Sequence, residues 1–156
     1  MLAFLLAERR ARDPILPLQL FSNRTFAIVA LVFFGLGVGL FGVSFFIPLF
    51  VQGVIGKSAT ASGTIITPEM LSVVVFAAIS GQIIARTGRY KYVGLVGAAI
   101  MLIGVLAMTQ MSTETSFVGV IWRLVIFGSG MGLLFPVLTL AVQNALPQSM
   151  LGTVSG

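Results

Sequence analysis

Residues 25–56 read TFAIVALVFFGLGVGLFGVSFFIPLFVQGVIG, thirty-two positions without one charged side chain. A second such run, residues 124–156, reads LVIFGSGMGLLFPVLTLAVQNALPQSMLGTVSG. A soluble domain would place charge on its surface throughout stretches of this length. A lipid-facing helix cannot, because a charged side chain at the bilayer centre costs roughly 2.5–3.5 kcal/mol on insertion scales. These two stretches set the solvent of the chain as lipid, and with it the fold class: all-α, a polytopic membrane helix bundle.

Composition agrees. The chain is 58% hydrophobic and 8% charged, against about 45–50% and about 25% for ordinary soluble domains. It has no cysteine and no histidine, so disulfides, thiolate chemistry and the commonest metal ligands are excluded. Its four acids, Glu8, Asp13, Glu69 and Glu114, are scattered. No catalytic residue, metal site or cofactor is expected. The net charge of +5 does not indicate nucleic acid, because its cations cluster beside apolar runs rather than over a solvated face.

Four segments are long enough to cross the hydrocarbon core, which takes about 20 apolar residues. They lie near 26–52, 61–85, 92–111 and 117–142. Pro48, Pro68 and Pro136 fall inside them, each read as a kink rather than a stop. The connections are short, so neighbouring spans run antiparallel. Arg9, Arg10, Arg12 and Arg24 precede the first span, and Arg86, Arg89 and Lys91 share one connection. This asymmetry is the positive-inside pattern. It puts both termini and the 86–91 loop in the cytoplasm. Residues 1–7, apolar and followed by Glu8 and three arginines, read as the end of a preceding span leading into a basic linker that runs to residue 25. Residues 146–156 read as the start of a further one, so the chain is expected to be a piece of a longer protein.

Inside the spans, Gly35/Gly39 and Gly128/Gly132 have the small-xxx-small spacing that lets helix backbones approach closely in lipid, and Ala77, Gly81 and Ala85 repeat it. Glu69 and Arg123 are the ionisable residues well inside the spans, so both are functional candidates. Glu69 lies about 12 Å from the outer end of its span and Arg123 about 9 Å, at 1.5 Å per residue. Similar depth leaves two readings open: a structural charge pair, or a carboxyl that takes and releases a proton with Arg123 biasing it. Phe34, Phe41 and Phe45 fall at i, i+7 and i+11 on one stripe. Such a stripe can line a cavity for aromatic or cationic compounds or simply pack against helix or lipid.

The most specific string is the 81–91 stretch, GQIIARTGRYK. It resembles the loop motif of the major facilitator superfamily, a glycine, three residues, an acid, an arginine, then Gly-Arg-Arg/Lys. The segments PLFVQGVIGKSAT at 48–60, DPILPL at 13–18, LFSNRTF at 20–26 and FPVLTLAVQNALP at 135–147 are similar to the branch of fourteen-span drug:proton antiporters. The resemblance implies that the four spans correspond to helices nine to twelve, with the first and fourth facing a central cavity. It also implies that Gly81, Arg86, Gly88, Arg89 and Lys91 form a cytoplasmic gate during alternating access. Ala85 departs from the motif, which has an aspartate there. The implied partners are the bilayer, the remaining helices of a full-length transporter, a small-molecule substrate and protons. The expected function is proton-coupled efflux of small amphipathic drugs or metabolites across the plasma or inner membrane. Two rivals are a self-contained four-span dimeric exporter and a membrane scaffold without cargo.

Overall fold

The computed structural model describes residues 24–145. The basic linker with Arg9, Arg10 and Arg12, the end of a preceding span and the start of a further one lie outside the described residues. Within them every regular element is a helix: α1 (Arg24–Gly53), α2 (Ala59–Thr64), α3 (Ile66–Thr87), α4 (Tyr90–Thr109) and α5 (Phe117–Ala145). Four stretches are long and apolar enough to cross a membrane: Phe26–Gly53, Ala59–Thr87, Tyr90–Thr109 and Phe117–Asn144.

Pro48 and Pro136 sit within continuous helix, whereas Pro68 marks a break. A proline cannot donate to the carbonyl four residues back, and its ring crowds that carbonyl. For Pro68 that residue is Thr64, the last of α2. The helix restarts at Ile66, so Pro68 stands in the first turn of α3, where its missing N–H is no loss. Ser58 caps α2 by accepting from the Ala61 N–H at 3.3 Å.

The bundle is organised around α5. More than half of its apolar stretch is buried (56%), against 22% or less for the other three spans. Towards α1 it buries Phe127, Met131, Leu134 and Leu138 with Val29 and Leu36. The rings of Phe33 and Phe135 lie 6.1 Å apart in the same contact. At one end Val120 and Leu124 join Ile47, Val51 and Ile65; at the other, Leu133 and Val137 join Ile84 and Val93.

What brings α3 and α4 so close to α5 is missing side chain. A Cβ at Gly132 would stand 3.0 Å from Val73 Cα and 3.1 Å from Ala77 N, both backbone atoms of α3. A Cβ at Gly130 would lie 2.6 Å from Met101 Cα in α4. From the α4 side, a Cβ at Gly104 would meet Phe127 N and Cα at 2.7 Å. Positions 128 and 132 share one face of α5 while 130 lies on the other. One short glycine segment therefore seats two helices.

By contrast, large side chains such as Leu31, Phe46 and Leu49 on α1 are exposed. Apolar surface on this scale belongs against lipid or further protein, not water.

Candidate functional site

Glu69 lies in the first turn of α3. Its side chain is fully buried, at 0% exposure. It is directed at α5, where Gly128 leaves room: a Cβ there would crowd Ser72 Oγ and stand 3.3 Å from Glu69 Cγ and 2.8 Å from the Glu69 carbonyl oxygen. The neighbouring Ser72 hydroxyl does not serve the carboxyl. It donates instead to the Glu69 backbone carbonyl at 2.7 Å. Neither Oε1 nor Oε2 has a hydrogen-bond partner among the described residues. An acid in this state is unusual, since buried polar atoms are nearly always paired.

The charge pair with Arg123 does not form. Arg123 donates from Nε to the Ala107 carbonyl at 2.8 Å and from Nη1 to the Gly119 carbonyl at 2.7 Å. Its guanidinium also stacks on Trp122, 4.5 Å from the ring centre. Helix geometry explains the separation. Glu69 is level with Gly128, five residues beyond Arg123, which is roughly 7.5 Å further along α5 and about 140° around it. Depth counted along each span put the two charges together; rotation about the axis keeps them apart.

The 81–91 segment ends α3 and starts α4. Gly88 has φ of +65° and its N–H donates to the Ile84 carbonyl at 2.8 Å. This left-handed cap turns the chain within two residues. Thr87 adds a bond from its hydroxyl to the Ile83 carbonyl and accepts from the Arg89 N–H. Arg86, Arg89 and Lys91 are all exposed. Gly81 would meet nothing within 4 Å if it carried a Cβ, so among the described residues no helix uses it for close approach. Phe34, Phe41 and Phe45 are 70%, 68% and 67% exposed on one side of α1. The described helices leave that stripe uncovered.

The sequence reading did not single out Ser72 or Ser80, both buried. Ser80 donates to the Leu133 carbonyl across the α3–α5 contact at 2.9 Å. The signal available was a pair of serines, at 72 and 80, on the face of α3 that carries Glu69.

Together these features define a multi-pass membrane protein, two of its spans seated by glycine contacts on one central helix, with a buried acid in one of those contacts. The match to the Major Facilitator Superfamily covers residues 3–156, and the chain belongs to that family. Among curated relatives, "Multidrug transporter protein MdtP" of Bacillus subtilis is 39% identical over 98% of this chain and 28% of its own length. "Tetracycline resistance determinant" of Streptomyces rimosus is 37% identical over 95% of this chain and 43% of its own. "Multidrug resistance protein 3" of Bacillus subtilis is 34% identical over 99% and 30% respectively. The chain thus spans less than half the length of each of these relatives. No solved structure gives a significant match.

Proposed function

We propose that this chain is part of a secondary transporter that exports small amphipathic compounds in exchange for protons, and that Glu69 is the carboxyl that exchanges the proton. The observation that carries the proposal is the complete burial of Glu69 with both oxygens unpartnered. An ionised carboxyl is expensive to bury without a partner. Releasing its proton therefore has to accompany an opening of the contact between α3 and α5 that admits water or a cation. This ties a protonation step to a movement of helices, which is what alternating access by rocking bundles needs.

Export of drugs is supported by the relatives, two of whose names specify multidrug transport or resistance and one tetracycline resistance. On this reading the exposed stripe of Phe34, Phe41 and Phe45 faces the cavity, offering ring faces to flat or cationic compounds. Gly81, Arg86, Gly88, Arg89 and Lys91 form the cytoplasmic gate, and the termini lie on the same side in the plasma or inner membrane. With Ala85 in place of an acid, the cations of this gate have to find their partners on other helices. The chemistry is movement of solute and proton, with no covalent bond made or broken.

The test uses the full-length protein in proteoliposomes under an imposed pH gradient. Glu69→Gln keeps shape and removes the proton exchange. Drug-dependent proton flux should fall by at least about tenfold, while Glu69→Asp retains part of it. Proton flux unchanged in Glu69→Gln would refute the assignment.

A further inference from the structure

At the end of the bundle opposite the 86–91 loop, the connection from α4 to α5 and the first turns of α5 line an open pocket of about 420 Å³. That volume is within the range of about 300–1,000 Å³ typical of small-ligand sites. Its lining is polar: Ser112, Glu114, Thr115, Ser116, Trp122 and Arg123 contribute. The family resemblance and the transport reading use none of these residues except Arg123, and only as a partner for Glu69.

The two charged groups are held differently. Arg123 is fixed in place by the carbonyls of Ala107 and Gly119 and by the Trp122 ring. These contacts occupy two of the five N–H groups of a guanidinium, and neither carbonyl neutralises its charge. Three donors in a planar fork remain for an oxyanion, the group this fork fits best. Glu114 is on the exposed connection. It would repel a simple anion, as Arg123 would repel a simple cation. A ligand for this pocket must carry both charges.

We propose that the pocket binds a phosphate ester bearing a primary ammonium, the chemistry of an aminophospholipid headgroup, with its phosphate on Arg123 and its ammonium at Glu114. Two features select among zwitterions. The guanidinium covers one face of Trp122, and this weakens the ring as a seat for a quaternary ammonium. A primary ammonium instead donates three hydrogen bonds, and Glu114 and the Ser112 and Ser116 oxygens are there to accept them. The pocket also lies at the N-terminal end of the membrane-crossing stretch Phe117–Asn144. Trp122 is the only tryptophan of the chain and is 45% exposed, the position at which such rings meet headgroups.

The experiment is native mass spectrometry of the full-length protein after delipidation, titrated with phosphatidylethanolamine, phosphatidylcholine or phosphatidylglycerol. A parallel titration uses free phosphoethanolamine. Phosphatidylethanolamine should be retained about tenfold better than the other two, and Glu114→Gln should abolish that preference. Glu114 is exposed and makes no hydrogen bond or ion pair among the described residues, so this variant keeps the test sound even if Arg123→Gln fails to fold. Competition by millimolar phosphoethanolamine supports the same chemistry with a soluble source; retention of the lipid against it supports the headgroup. Equal retention of phosphatidylethanolamine and phosphatidylglycerol, or a preference untouched by Glu114→Gln, would overturn the proposal.

Discussion

Replacing Gly104 by alanine adds one methyl group at the contact between α4 and α5. The new carbon would stand 2.7 Å from the N and Cα of Phe127. Backbone atoms cannot turn aside as a side chain can, so the helices must separate. Restoring an ordinary contact of about 3.4 Å takes roughly 0.7 Å of movement, and gaps of 0.5–1 Å forfeit a quarter to a half of the dispersion well for each facing atom pair. The loss extends along the contact, because Gly97 and Gly130 hold the same two helices at their present distance. A Cβ at Gly97 would lie 2.9 Å from Leu133 Cβ. The expected cost is about 1–3 kcal/mol, the usual range for overpacking. The control is Gly35→Ala in α1, where an added Cβ would meet nothing within 4 Å. There the change should be neutral or stabilising by up to about 1 kcal/mol, through helix propensity alone. Equilibrium unfolding of the full-length protein in mixed micelles, followed by circular dichroism, measures both. If Gly104→Ala proves as stable as Gly35→Ala, close backbone approach is not what seats α4 on α5.

Ser80→Ala removes the hydrogen bond to the Leu133 carbonyl and should cost about 0.6–2 kcal/mol in the same unfolding assay, the range for such bonds between membrane helices. Gly88→Ala should cost about 1 kcal/mol, because φ of +65° brings an added Cβ close to the following carbonyl. Hydrogen exchange should rise at the C-terminal turn of α3 and leave α5 unchanged.

The sequence made the helices legible because lipid forbids charge: runs such as 25–56 have no other solution. It also made Gly128/Gly132 legible as a groove. It did not show which helix fills a groove, and Gly35/Gly39 demonstrates this. The spacing is the same, yet a Cβ at Gly35 meets nothing within 4 Å and one at Gly39 makes only ordinary contact with Phe127 at 3.6 Å. Spacing along one helix is a one-dimensional property, while the partner is fixed by the packing of all of them. The Glu69–Arg123 pairing failed for a related reason. Distance from the membrane surface can be counted in residues, whereas the direction a side chain faces depends on which side of α5 each neighbour occupies. The break before Ile66 was open to inference from Pro68, whose effect falls four residues upstream and not at the proline itself.

The placement of Glu69 and the glycines of α5 have a joint consequence. The acid lies in the close contact between α3 and α5, opposite Gly128. Close-packed backbones have no intermediate spacing that is both dry and comfortable: a gap too small for water forfeits contact without hydrating anything. The α3–α5 contact therefore tends towards two states, closed with the acid sealed, or open wide enough for water to reach it. A larger residue at Gly128 would hold the helices apart and leave the acid hydrated in both. On the proposed function, the missing side chain at Gly128 is thus as necessary to coupling as the carboxyl it faces, since it is what makes burial of the acid depend on the position of the helix.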